Sequence, residues 1–322
     1  MGVRNTMMNP RLAHRGLAFI LSAALSVVAA DALAEVRTLE TAHGPVTLDG
    51  DVERVVTLYE GALDSAYAVG VKPLGAIVTR GGTDVANYMQ SRVEHIEIVG
   101  TPGETNLEAV VALQPDVILA SPYLSEEQFN LLSQVAPTLA PEVPRFEPDN
   151  WRKEARFFAA ALGKQDEMEH VLADIEARTT EVAKRVSEKV PSNQRQAILA
   201  RWMPQGPMIM ATGLFSTGIL TAAGFEVQDA DVVKQGRPHS SPLSQENLNL
   251  MDSDWLFMAT LNPEGRDALS AAESSPAYQR LDVVERGHVI PVDGQLWTSA
   301  SGPIAAQAVL DDIEKTIETA TD

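Results

Sequence analysis

The chain has 322 residues, of which 45% are hydrophobic and 21% charged, and its 44 Asp and Glu outnumber 25 Lys and Arg to give a formal net charge of -19. Such an excess of acid argues against nucleic acid or an anionic membrane surface as partner, and it repels anionic small molecules unless arginines reverse the field locally. There is no cysteine, so no disulfide framework can hold the fold and the apolar core must do it alone.

Residues 1–34 read as a signal peptide. Arg4, Arg11 and Arg15 precede the apolar run "LAFILSAALSVVAA" (Leu17–Ala30), and Ala32–Ala34 supply small residues for cleavage. The run is too short to span a bilayer, which takes about 20 residues. Glu35 is then the first mature residue. With no cysteine to carry a lipid, a free protein in the periplasm of a Gram-negative cell is expected.

From about Arg54, short strands and helices alternate. "RVVTLY" reads as a strand, "ALDSAYAVG" as a helix ended by Gly70, and "PLGAIV" as the next strand. "LEAVVALQ" is a helix stopped by Pro115, "DVILAS" a strand, and "SEEQFNLLSQVAP" a helix with Ser125 as N-cap and acids in its first turn. "TLAPEV" is a further short strand. This pattern predicts a parallel sheet with crossover helices in an N-terminal α/β lobe, 35–150.

Strand signals vanish over 151–190. Gly163 separates a short helix from a longer one in which Met168, Val171, Ile175, Val182, Val186 and Val190 recur at helical spacing. Roughly 24 residues at about 1.5 Å each make a rod of about 36 Å, long enough to connect two lobes. Alternation resumes in a C-terminal lobe, 191–322. "RQAILARW", "PMIMA", "DWLFMAT" and "HVIPVD" read as strands, "FSTGILTAAG" as a helix ended by Gly224 and followed by "FEVQD", and "GPIAAQAVLDDIEKTI" as a closing amphipathic helix, with "SPAYQRLDVVERG" leading into "HVIPVD".

One unit recurs in both lobes. Glu108 opens "LEAVVALQPDVILAS" and Glu246 opens "QENLNLMDSDWLFMAT", each glutamate leading an apolar helical stretch, then Asp116 or Asp254, then a buried strand. A carboxylate in a first helical turn is favoured by the macrodipole by about 0.3–1 kcal/mol, which accounts for either glutamate singly. Their matched positions suggest two equivalent surface points.

These stretches, with "ERVVTLYEGALDSAYAVGVKPLGAIV", "GTPGETNLEAVVALQPDVILAS" and "VIPVDGQLWTSASGPIAAQAVLDDI" in that order, resemble the substrate-binding proteins of ABC importers for ferric siderophores, haem and cobalamin. The resemblance covers the chain from about Val36 to its C-terminus. It implies two Rossmann-like lobes joined by one long rigid α-helix, with the ligand cleft between the lobes. It also implies one surface glutamate per lobe to meet arginines of a permease dimer in the inner membrane, and Glu108 and Glu246 hold those positions. The expected cargo is a ferric siderophore, of carboxylate type such as ferric citrate, with haem or cobalamin as the alternative. No cofactor is expected, and the protein is expected to act as a monomer.

In open α/β sheets ligands sit beyond the carboxyl ends of strands. Residues there give the candidate contacts: Tyr59, Arg80 and Tyr123 from the first lobe, and Arg201, Trp202, Arg237 and Trp297 from the second, with His239 a weaker candidate. Arginines and aromatic rings suit a ferric siderophore, whose iron is already enclosed by oxygen donors. The histidines are scattered without paired spacing, so a metal centre built from side chains is not expected. "GLFSTG" departs from the G-x-S-x-G nucleophile turn, and no Gly-rich phosphate loop follows a strand. The chain is therefore not expected to be an enzyme, and Ser216 or Thr217 is expected to face the cleft.

Overall fold

A computed structural model describes residues 36–319; the segment read as a signal peptide, 1–34, lies outside the described residues. An antiparallel hairpin opens the fold, β1 (Arg37–Thr41) with β2 (Gly44–Leu48). The first lobe follows as β3 (Val55–Thr57), α1 (Glu60–Ala68), β4 (Gly75–Ala76), α2 (Asn87–Gln90), β5 (Glu97–Ile98), the small pair β6 (Gly100–Thr101) and β7 (Glu104–Thr105), α3 (Leu107–Ala112), β8 (Val117–Leu119), α4 (Glu126–Leu132) and β9 (Thr138–Leu139). Five of these strands form a parallel sheet in the order β5-β4-β3-β8-β9.

Two helices come next, α5 (Asn150–Ala161) and α6 (Gln165–Lys189), parted by Gly163 in the left-handed region. The second lobe contains β10 (Gln196–Met203), β11 (Gly206–Ile209), α7 (Phe215–Ala222), β12 (Glu226–Val227), a 3-10 helix over Gln245–Met251, β13 (Trp255–Thr260), α8 (Pro263–Glu273), α9 (Pro276–Gln279), α10 (Asp282–Glu285), β14 (Val289–Asp293), α11 (Gly294–Thr298) and α12 (Pro303–Thr319). Its sheet runs β11-β10-β13-β14, with β12 also on β10, and is parallel except for the β10–β11 pair.

The structure adds detail to the sequence pattern. "QENLNLM" forms a 3-10 helix. "SPAYQRLDVVERG" holds two short helices, α9 and α10, because Asp252 accepts the backbone N–H groups of Asp282 and Val283 at 3.0 and 2.9 Å and starts a new helix there. Helix α8 is capped by Asn262, with Pro263 at its first position.

Both sheets are covered on both faces, and strand alternation decides what each face meets. Ala197 and Leu199 of β10 and Trp255, Phe257 and Ala259 of β13 enter a central cluster. Ile198, Ala200, Trp202, Leu256 and Met258 enter a separate one on the opposite face. Val117 and Leu119 of β8 reach the same central cluster, while Ile118 faces away. The central cluster also takes Ile175, Val182 and Val186 from α6 and Val309, Ile313 and Ile317 from α12. The two lobes therefore share one apolar core built around α6, and any lobe motion must keep that core closed. Arg178 and Arg185 of α6 add ion pairs to Glu314 of α12.

The repeated acidic unit has a structural counterpart. Asp116 accepts the N–H groups of Glu53 and Arg54 at 3.0 and 2.8 Å, stapling the entry of β8 to that of β3. Asp254 accepts the N–H of Gln196 at 3.0 Å, stapling β13 to β10. Both glutamates lie in first helical turns, and both are exposed.

Candidate functional site

The pocket that gathers residues from both lobes lies where their strands end. Its walls come from Tyr59 after β3, Tyr123 after β8, the stretch 146–154 leading into α5, the stretch 213–216 leading into α7, and 297–301 between α11 and α12. Its volume is about 190 Å3. That is below the roughly 300–1,000 Å3 usual for small-molecule sites, so a bulky ligand would extend beyond these walls into the open cleft.

Tyr59 is half-buried and donates to Glu154 Oε2 at 3.0 Å; Ser301 Oγ donates to the same oxygen at 3.4 Å. Burial raises the Glu154 carboxyl above its ordinary range, opposed by those two donors. Burial, and next the Glu154 charge, push the Tyr59 hydroxyl well above 10. Trp297 forms the inner wall: its ring stacks on Phe257 with centroids 5.1 Å apart, and its indole N–H donates to Asp312 Oδ2 at 2.8 Å. Tyr123 stands at the rim, 47% exposed, beneath the Arg145 guanidinium at 4.4 Å.

Beside this pocket lies a cationic wall. Arg201 leaves β10 on the face of Leu199, is 8% exposed, and donates to Thr298 Oγ1 at 3.4 Å. Its Nε is buried without a hydrogen-bond partner. Desolvation lowers its pKa, and the charge of Arg80 lowers it further. Arg80 reaches this region from the exposed loop after β4, where Glu60 accepts its backbone N–H at 3.3 Å. Burial, the main effect on it, raises the pKa of that carboxyl, opposed by its hydrogen bonds and by the charge of Arg80. A buried guanidinium with an idle N–H, in the repulsive field of a second arginine, is the arrangement that a ligand anion relieves.

Helix α2, which follows this loop, touches the opposite lobe. Asn87 donates twice across the lobes, its backbone N–H to Gln295 Oε1 at 3.0 Å and its side chain to Asp293 Oδ2 at 2.8 Å. Ser216 lines the pocket but turns its hydroxyl to the Trp297 carbonyl, and Thr217 spends its own on carbonyls of the turn before α7.

The structure thus brings together Tyr59, Tyr123 and Trp297, with Arg80 and Arg201 nearby. Two expected contacts fall elsewhere. Trp202 follows Arg201 in a strand and so faces the opposite side of the sheet; it is 4% exposed and packs edge-on against Tyr278. Arg237 is exposed in the loop after β12 and borders a different concavity with His239. Glu154, Asn150 and Ser301 also line the pocket. By sequence α5 belongs to the connection between lobes, and only folding shows that its start faces the pocket. Among the described residues no three His, Asp or Glu side chains cluster as metal ligands.

Two α/β lobes with a shared core, and a pocket at the strand ends of both, define a binding protein that holds its ligand between lobes. The chain belongs to the periplasmic binding protein family, whose model matches residues 55–296. It is 25% identical over 301 residues to the Fe(3+) dicitrate-binding periplasmic protein FecB of Escherichia coli, covering 93% of this chain and 96% of that one. It is 28% identical over 287 residues to the probable siderophore-binding lipoprotein YfiY of Bacillus subtilis, covering 86% of each. Among solved structures it is similar to Staphylococcus aureus SirA complexed with staphyloferrin B, with a TM-score of 0.74, 26% identity, and coverage of 88% of this chain and 98% of that one.

Proposed function

We propose that this protein captures a ferric siderophore of carboxylate type in the interlobe cleft and delivers it to an ABC permease for iron uptake. The observation that carries the reading is Arg201, buried at a strand end with an unpartnered Nε, in no ion pair with a carboxylate among the described residues and within the field of Arg80. In a chain of net charge -19, such a local reversal of sign suits an anionic cargo. The names of its relatives FecB and YfiY support iron complexes as the cargo class. Tyr59, Tyr123 and Trp297 supply stacking and hydrogen-bonding surface, and the iron arrives already coordinated.

Glu108 and Glu246 are the docking points on the two lobes, exposed on equivalent first turns. The protein works free in the periplasm, there being no cysteine to carry a lipid.

Intrinsic fluorescence tests the cargo, because Trp151 and Trp297 line the pocket. Ferric citrate and other ferric siderophores, haemin and cobalamin are titrated in parallel. A ferric carboxylate complex should quench with a Kd at or below about 1 μM, or about -8 kcal/mol. Quenching by haemin or cobalamin alone would overturn the reading.

A further inference from the structure

The corner of the pocket around Glu154 has a hydrogen-bonding polarity opposite to that of the arginine wall. Tyr59 directs its only hydroxyl proton at Glu154 Oε2, and Ser301 does the same. Each hydroxyl oxygen is then left able only to accept from a ligand. Glu154, 4% exposed, contributes a carboxyl whose second oxygen has no hydrogen bond to the described residues. Asn150, 7% exposed, turns its amide N–H to the Pro144 carbonyl and leaves Oδ1 buried without a partner. All four residues line the same pocket. An orphan acceptor of that kind is costly unless a donor reaches it. Ser299, whose buried hydroxyl has no partner, and Tyr123 at the rim are hydroxyls there that still have a proton to offer.

We infer that this corner selects for ligands that bring hydrogen-bond donors, so that the preferred cargo is a ferric complex bearing both carboxylates, for Arg80 and Arg201, and amide, amine or hydroxyl N–H or O–H groups, for Tyr59, Glu154, Asn150 and Ser301. The inference rests on the siderophore reading and narrows it. A complex whose free groups are all carboxylates satisfies the arginines but sets lone pairs against lone pairs at Glu154. Glu154 is the specificity-determining residue, because it fixes the direction of both neighbouring hydroxyls.

Two probes separate the possibilities. Ferric citrate offers carboxylates alone, whereas ferric aerobactin, a citrate derivative, carries carboxylates and amide N–H groups. The wild-type protein should bind ferric aerobactin the more tightly. Glu154→Gln introduces an amide that can donate to Tyr59 and turn its hydroxyl toward the ligand. It should strengthen ferric citrate and weaken ferric aerobactin, each by about five- to tenfold, the size of one or two hydrogen bonds. Tyr59→Phe, which removes one acceptor without adding a charge, should weaken ferric aerobactin and leave ferric citrate within about twofold. Thermal denaturation confirms that each variant is folded at the assay temperature. Equal weakening of both probes by Glu154→Gln, or no change in either, overturns the polarity inference and leaves the siderophore reading standing. Failure of the wild-type protein to bind either ferric probe overturns both.

Discussion

Asp64 and Ile304 stand 240 positions apart in the chain, yet the carboxylate of the first accepts the backbone N–H of the second at 2.8 Å. The same carboxylate accepts from Ala305 N–H at 2.9 Å and Tyr88 hydroxyl at 3.0 Å. A side chain of α1 thereby caps α12, directly after the segment 297–301 that lines the pocket. Gly302, at φ +124, makes the approach possible: a Cβ there would lie 2.5 Å from Asp64 Oδ1.

Burial pushes the Asp64 carboxyl up to about 7, against the pull of its backbone and Tyr88 donors. The unfolded chain releases this proton near 3.8 and the folded chain only near 7, so between those values the native state holds more proton. The contribution to stability is full below about 3.8 and is lost as pH rises through 7. Asp64→Asn does not titrate; it keeps one accepting oxygen and puts an NH2 donor in place of the other, a loss that is the same at every pH. The stability of wild type minus that of Asp64→Asn, from urea unfolding at several pH values, should fall steadily across this window. A flat or rising difference would show that the three donors outweigh burial.

Arg201→Met should separate affinity from stability. It removes a buried cation that has no carboxylate partner and replaces it with apolar volume, so the melting temperature should hold or rise. Affinity for a ferric carboxylate complex should drop about tenfold or more, the size of a lost charge-assisted hydrogen bond. Calorimetric titration and a thermal scan on one preparation decide it. Loss of stability with unchanged affinity would remove Arg201 from the ligand site.

Trp202→Ala should do the reverse. Its indole fills the cluster on the far face of β10, so truncation should cost about 3–5 kcal/mol. Ligand affinity measured well below the melting transition should stay within about twofold, since the side chain faces away from the cleft.

Glu108→Lys and Glu246→Lys should impair delivery and spare capture. Exposed pairs contribute about 0–1 kcal/mol each, so either change alone should have a modest effect and the double variant a large one. The readout is ligand-dependent ATPase stimulation of the reconstituted permease, with a salt dependence expected of charge-guided association. Unaltered stimulation by the double variant would exclude these residues as the contact.

Much of the architecture is local and was readable in order along the chain. The alternation of short apolar strands with helices, the break at Gly163 and the spacing of Met168, Ile175, Val182 and Val186 are properties of neighbouring residues, and the structure keeps all of them. The paired units ending at Asp116 and Asp254 were visible for the same reason. Strand periodicity also held information left unused: adjacent residues point to opposite faces, so Arg201 and Trp202 could not both meet a ligand in one cleft.

Other features depend on contacts that no window of sequence contains. Glu154 becomes a pocket residue only because Tyr59 and Ser301, from opposite ends of the chain, close on one carboxylate oxygen. Arg237 carries the same chemistry as Arg201, but its loop leaves it in solvent, whereas β10 drives Arg201 into the shared core region beside Thr298. Residue type and spacing set which elements form, because backbone geometry is decided within a few residues. Which polar groups are buried together, and which protons remain for a ligand, is decided by packing across hundreds of residues, where desolvation leaves each group only the partners the fold brings to it.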